Sequence, residues 1–196
     1  MEKNKYSWWA VLWRIAAIGG GFVVAGVLFA AAFIIYLARD LPSIEQIDSR
    51  RVQQSTKIYD RTGGVLLYEI SAGQKRTVVP FEELPLRLKQ ATIAVEDENF
   101  YSEPGFDWRA IVRAVLVNLR LREGYAGQGG STITQQLARN AFLSPERTIT
   151  RKLRELILAI YLDRHYTKDQ ILWLYLNEIP YGSTRYGAEA AARAFF

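Results

Sequence analysis

Glu96, Asp97 and Glu98 are three adjacent acids, followed by Asn99 and Phe100. They close a segment that reads as helical from Pro85, where the negative end of the helix dipole and the neighbouring carboxylates both disfavour ionisation. At least one of the three is therefore expected to hold its proton more tightly than a free carboxyl. A carboxyl tuned upward is what a general base for a sugar hydroxyl requires. A solvated acidic cluster in a loop explains the same three residues.

A second group runs from Gly127 to Asn140. Glycines ahead of Ser131, read as a helix N-cap, leave backbone N–H groups free at the positive end of a helix, which suits an anion. On that helix Gln135 stacks over Arg139 and Gln136 over Asn140 at i,i+4, so one flank offers amide and guanidinium donors to sugar hydroxyls and phosphate oxygens. No lysine follows the glycines and no buried strand precedes them, which excludes a nucleotide-binding loop. A polar outer face beside a linker is the alternative.

The third group is 147–155. Arg147, Arg151 and Glu155 share a helix face by i,i+4 spacing, with Lys152 and Arg154 on its flanks. Guanidinium forks at this density suit a pyrophosphate, offering bidentate contacts and offsetting charge on a departing group. An exposed ladder of ion pairs explains the same spacing. Three weaker features complete the list. Residues 107–122 mix Ile111, Val112, Val115, Leu116, Val117 and Leu119 with Arg109, Arg113, Arg120 and Arg122, a pattern fit for a membrane surface or for core packing. His165 reads as a surface residue, and Trp173 and Tyr175 as packing residues.

The elements that must hold these groups are mostly helical. Segments at 85–98, 107–122, 131–142, 147–164 and 168–178 carry the pattern, with Gly124 to Gly130 breaking the second from the third. Thr167 and Gln170 form a capping-box signature. Ahead of them, 56–59 and 65–70 flank a loop containing Gly63 and Gly64 and predict a hairpin, to which Arg76, Thr77, Val78 and Val79 could add a third strand.

Residues 15–38 contain no charge, a run that spans roughly 36 Å as a helix and crosses a bilayer with some tilt. The run continues through Phe33, Ile34, Ile35, Tyr36 and Leu37, longer than the apolar core of a cleaved signal peptide. Trp8, Trp9 and Trp13 suit the headgroup layer, and Lys3, Lys5 and Arg14 on the same side predict a cytoplasmic N-terminus, with everything after Arg39 outside. The layout expected is a cytoplasmic tip at 1–14, the anchor at 15–38, a stalk at 39–55, a small β-appendage at 56–80 and a catalytic body at 81–196.

The chain has no cysteine and one histidine, so no disulfide framework is available and a zinc site of nitrogen and sulfur ligands is disfavoured. Of the net charge of +5, residues 101–196 hold thirteen basic against nine acidic residues, or +4. A basic exported face beside a membrane suits anionic headgroups or a phosphorylated lipid, while a solubilising surface explains the net charge equally. Nucleic acid is excluded by compartment.

Taken together, five ordered blocks resemble the glycosyltransferase domain of class A penicillin-binding proteins: EDENFYSEPGFDW, GGSTITQQLARN, RTITRKLRE, KDQILWLYLNEIPYG and YGAEAAARAFF. The stretch STKIYDRTGGVLLYEI is similar to the segment that bifunctional members carry after the anchor. The resemblance implies a mainly α fold, lysozyme-like in its helical main lobe with a smaller membrane-associated jaw. It implies polymerisation of lipid II, in which the acceptor's sugar 4-hydroxyl attacks the anomeric carbon of the growing chain, inverts it and releases undecaprenyl pyrophosphate.

By the same resemblance Glu96 is the catalytic base, Asp97 its acidic neighbour, and Glu155 a second acid that helps hold a divalent cation, Mg or Mn, or the pyrophosphate region. No organic cofactor is implied. Ser131, Gln135 and Gln136 match sugar-contacting positions, with Thr132, Arg139 and Asn140 in the same substrate-binding block. Arg147, Arg151 and Lys152 match the basic group around the pyrophosphate.

The implied setting is the bacterial cytoplasmic membrane, with lipid II, the growing glycan and wall-synthesis proteins as partners. Glu103 stands where the family usually has His, Arg139 where it has Lys and Trp173 where it often has an acid. The family also continues past the position of Phe196, so a C-terminally incomplete domain is expected. A lytic lysozyme-like hydrolase and a catalytically silent wall-synthesis scaffold are the competing functions. The glycosyltransferase reading requires Glu96 and the cations of 139–154 to line opposite walls of one groove opening towards lipid.

Overall fold

The computed structural model describes residues 8–39, 41, 42, 47, 54–71, 73–109, 130–146, 148–182 and 184–196. They divide into two compact units, Met1–Leu41 and Pro42–Phe196. The first is built on α1 (Trp8–Ala38), whose 31 residues begin ahead of the expected entry at Ile15 and take in the tryptophan cluster. At 1.5 Å per residue it is about 46 Å long. It is long and apolar enough to cross a membrane, and Trp8, Phe22 and Phe29 point outward with no protein cover.

In the second unit the expected hairpin forms. Strand β1 (Thr56–Tyr59) pairs antiparallel with β2 (Leu66–Ile70), setting Thr56 opposite Ile70 and Ile58 opposite Tyr68. Asp60 organises the turn, accepting from Thr62 Oγ1 at 2.6 Å and from the backbone N–H groups of Gly64 and Val65. These bonds, that of Thr62 above all, hold its carboxyl below the usual range.

The expected third strand does not join this hairpin. Residues Lys75–Arg76 form β3, which pairs in parallel with β4 (Arg185–Tyr186). Beyond it Val79 is held by a side chain: Asn177 Oδ1 accepts from Val79 N at 2.9 Å, while Asn177 Nδ2 and Trp173 Nε1 both donate to Val79 O. The segment 75–79 therefore answers to a helix and to β4, because those groups satisfy the backbone polar atoms that a hairpin partner would otherwise have to meet.

The helices start where their capping chemistry says they should. Helix α2 (Leu86–Glu96) follows Pro85 and stops at Asp97, whose φ of −163° is extended. Helix α3 (Ile133–Phe142) opens on a reciprocal capping box between Thr132 and Gln135. Thr148 caps α4 (Ile149–His165) by accepting from Arg151 N, and the predicted Thr167–Gln170 box opens α5 (Lys168–Glu178). The last helix is α6 (Ala188–Phe195). The cap of α3 is Thr132 and not Ser131, because the Thr132 hydroxyl is the one that reaches the third N–H of the helix. The helix expected over 107–122 lies largely outside the described residues.

Helix α3 packs against both α4 and α5. Ile133, Leu137 and Ala138 meet Leu158, Ala159 and Leu162 of α4 and Ile171, Leu172 and Leu176 of α5, all essentially inaccessible. Each buried leucine or isoleucine stabilises the fold by about 1.5–3 kcal/mol. Two glycines allow close approaches to this core. A Cβ at Gly105 (φ +73°) would stand 2.8 Å from Ala159 O, and one at Gly187 (φ +81°) 2.8 Å from Asn177 O, so both backbone conformation and space require glycine.

Candidate active site

The site is assembled around the N-terminal end of α3. Glu96 and Asp97 are adjacent in sequence but diverge in space, because α2 ends between them. Glu96 is the last helical residue and is exposed. Its Oε2 accepts a 2.7 Å hydrogen bond from Gln136 Nε2. Asp97 turns under the helix instead, and its Oδ2 accepts from Ile133 N at 3.0 Å. An anion at the start of a helix interacts favourably with the dipole and satisfies a free N–H.

Burial nevertheless raises the Asp97 carboxyl above its ordinary range. The bond from Ile133 and the charge of Lys168 oppose that rise, and the charge of Asp107 adds to it. The raised carboxyl is thus that of Asp97, the neighbour of the expected base, which is half-buried.

The threonine and first glutamine of this block also face inward. Thr132 accepts from Gln135 N and donates to Gly105 O at 2.7 Å, and Gln135 Oε1 accepts from Thr132 N. Gln135 is 1% exposed. Its amide completes the cap, so it does not join Arg139 on a donor flank, and Thr132 likewise serves the cap.

Gln136, one position on, does reach the outer face. Its amide donates to Glu96 and, at 3.4 Å, to Ser131 O, and its Oε1 accepts from Tyr175 Oη at 3.2 Å. Arg139 is half-buried with Nε 3.4 Å from Asn140 Oδ1, and Asn140 is exposed.

Helix α4 brings the cations to the same place. Lys152 Nζ donates to Ser131 Oγ at 2.7 Å and to Glu155 Oε1 at 2.5 Å, and Arg151 donates to Glu155 Oε2 at 3.1 Å. Glu155 is wholly buried, whereas the side chains of Arg151 and Lys152 are 16% and 47% exposed. This is not an exposed ladder. One inaccessible carboxylate aligns two cations, of which Lys152 keeps an open outer surface, leaving one net positive charge beside Ser131. Arg147 lies outside the described residues.

The connections therefore run without a break from Glu96 through Gln136, Ser131 and Lys152 to Glu155 and Arg151. The base and the cations were expected on facing walls of a groove; among the described residues Glu96 and the Lys152–Arg151 pair are instead joined through Gln136 and Ser131 at the start of α3. That edge can hold a hydroxyl against a carboxylate while cations a few residues away face an anionic group.

A divalent cation fits this arrangement poorly. Both oxygens of Glu155 are engaged by cationic side chains, and among the described residues no group of three or more Asp, Glu, His or Cys could ligate a metal.

Two residues of the site escaped the sequence reading. Tyr175, 2% exposed, bonds Gln136 as described. Burial, and then the charge of Glu96, raise its phenol above the ordinary range, and the same causes push Tyr181 up to about 12. Both phenols stay protonated beside the carboxylate. Tyr175 shared its block with Trp173 and read as packing; the position of its hydroxyl depends on α3, 39 residues earlier.

Comparison with known proteins identifies the family. The family described as Transglycosylase matches residues 63–196. Penicillin-binding protein 1A of Aquifex aeolicus is 43% identical over 176 residues, covering 90% of this chain and 24% of the relative. The protein of the same name from Escherichia coli is 44% identical over 162 residues, 82% of this chain and 18% of the relative. That of Pseudomonas aeruginosa is 36% identical over 198 residues, 100% of this chain and 22% of the relative. The chain spans about a quarter or less of the length of these relatives. With a helical body, an apolar N-terminal helix and a family match over most of its length, the chain belongs to the transglycosylase family.

Proposed function

We propose that this chain is a membrane-tethered peptidoglycan glycosyltransferase that extends glycan from lipid II with inversion and release of undecaprenyl pyrophosphate. The observation that carries the reading is the unbroken run of bonds from Glu96 to Lys152 across Gln136 and Ser131. A base and a cationic patch so connected serve a displacement in which a hydroxyl loses its proton as a diphosphate departs.

In that reaction Glu96 takes the proton of the acceptor's 4-hydroxyl as the oxygen attacks the anomeric carbon. The bond from that carbon to the diphosphate oxygen breaks with inversion. Lys152, Arg151 and Arg139, with Arg147 from sequence, offset the charge that develops on the leaving group. Asp97 positions the N-terminus of α3 and does not itself take the proton. Helix α1 spans the cytoplasmic membrane with its N-terminus inside, following the basic residues at 3, 5 and 14, and keeps the site next to a lipid-borne substrate.

Polymerisation of labelled lipid II by the membrane-anchored chain tests the reading. Glu96→Gln keeps the shape and removes the base, and turnover is expected to fall about 1,000-fold, within the usual range for general-base catalysis. Equal rates would remove Glu96 from the mechanism. Release of soluble fragments from purified cell wall would point to a hydrolase instead, and partner binding without turnover to a silent scaffold.

A further inference from the structure

Tyr175 sits in the middle of α5 with Ile171, Leu172 and Leu176 buried around it. A phenylalanine would supply the same packing. A phenol adds a hydroxyl that needs a partner once it is out of water, and that partner is Gln136 Oε1 at 3.2 Å, on another helix.

The other end of the same amide donates to Glu96 Oε2 at 2.7 Å. A carboxylate only accepts, so the NH2 group must face Glu96, and the amide oxygen is left for the phenol. Both ends of the Gln136 side chain are thereby held, one by the core and one by the exposed acid.

We infer that Tyr175 is a positioning residue for the base: its buried hydroxyl fixes the Gln136 amide, whose NH2 group holds the Glu96 carboxylate in place. The inference rests on the assignment of Glu96 made above. Glu96 ends its helix and is exposed, and a glutamate in that setting samples several staggered rotamers in water. Gln136 is half-buried and has the same freedom unless tied at its oxygen. Tyr175 has few rotatable bonds and is locked in the core, so its hydroxyl transmits the rigidity of α5 to a carboxylate at the surface. Such control matters because a misplacement of about 1 Å at a reacting group costs about 100-fold in rate. The raised phenol also remains a donor throughout the working pH range.

The test uses the full membrane-anchored chain and labelled lipid II. Tyr175→Phe keeps the ring and removes the hydroxyl. Its kcat is expected to fall about tenfold, with a smaller change in KM, since the phenol itself lies behind Gln136 and the loss falls mainly on the base. Gln136→Leu, which leaves the core tyrosine in place, should lose at least as much, and adding Tyr175→Phe to it should cost nothing further, because the two substitutions cut one relay.

By NMR, the side-chain NH2 protons of Gln136 should exchange faster in Tyr175→Phe than in the unsubstituted chain. A purely structural tyrosine would lower Tm and the folded yield while leaving kcat per folded molecule and the amide exchange unchanged.

Wild-type kcat in Tyr175→Phe or in Gln136→Leu, alongside an inactive Glu96→Gln, would overturn the positioning role and leave the base intact. Additive losses in the double variant would overturn it too. Full activity in Glu96→Gln would instead overturn the reading of the site on which it rests.

Discussion

Among the described residues two glutamates are buried in the helical unit, and each faces cations in a different way. Glu178, at the end of α5, pairs with Arg76 at 3.2 Å, and both side chains are shut off from solvent at 3% and 4% exposure. Arg76 also lies over the Tyr186 ring at 5.2 Å, so the pair joins β3, β4 and α5. Glu155 is equally inaccessible, yet Lys152 keeps 47% of its side chain in water.

In the first pair desolvation is complete on both sides and all the attraction is used within the fold. In the second the acid is fully desolvated and Arg151 largely so, while Lys152 keeps about half of its side chain in water. Its role is to orient cations whose outer faces can still meet an anion. The openness of the cationic partner, more than the presence of a buried ion pair, separates a clamp from a binding surface.

The largest expected effect comes from breaking the sealed pair. Glu178→Ala removes the buried carboxylate from its pair with Arg76 and should cost about 3–5 kcal/mol by urea unfolding, while turnover per folded molecule stays near that of the unsubstituted chain. The open pair should respond in the opposite sense. Lys152→Met should lower turnover about 100-fold, equivalent to about 2.7 kcal/mol, and cost less stability than Glu178→Ala, because Arg151 still pairs with the buried Glu155. Loss of stability without loss of turnover in Lys152→Met would erase the distinction.

Salt sharpens the comparison further. Added electrolyte should raise KM for a diphosphate donor at the open pair and leave the stability contributed by the sealed pair unchanged, since screening acts on exposed charge.

A smaller effect, about 1 kcal/mol, is expected for Thr132→Ala, which removes the cap of α3 beside Ser131 and is measured by thermal unfolding. The smallest concerns Asp97. The folded state raises its carboxyl above the ordinary 3.8 by burial, so the folded chain binds this proton more tightly than the unfolded one. Stability from this group is full below the ordinary value and falls as pH rises from there through the raised folded value. Asp97→Asn keeps an acceptor for Ile133 N and should flatten that fall in a pH series of unfolding measurements. An unchanged slope would remove the burial argument.

Much of the helical frame was legible because its signals are local. Pro85 and the Thr167–Gln170 box mark helix starts in the residues themselves, and the apolar run from Ile15 to Ala38 needs no partner to be recognised. The hairpin was legible for the same reason, with Asp60 and the glycines making the turn. Strand β3 was misassigned because its partners, β4 and Asn177, are roughly 100 residues away along the chain. The amphipathic count placed Gln135 and Gln136 together on one polar flank; the capping box drew Gln135 inward, and only Gln136 met Glu96.

Residue types and spacing by themselves determined the membrane-length helix, the helical body, and the presence of an acid cluster, a polar helix start and a basic run, since propensity, capping and charge density act over a few residues. The tertiary structure decided which of two adjacent acids faces solvent, which glutamine holds it, which tyrosine stands behind that glutamine, and which buried glutamate leaves its cations open. Those outcomes depend on how α2, α3, α4 and α5 pack, and packing brings together groups whose separation along the chain carries no trace of their proximity.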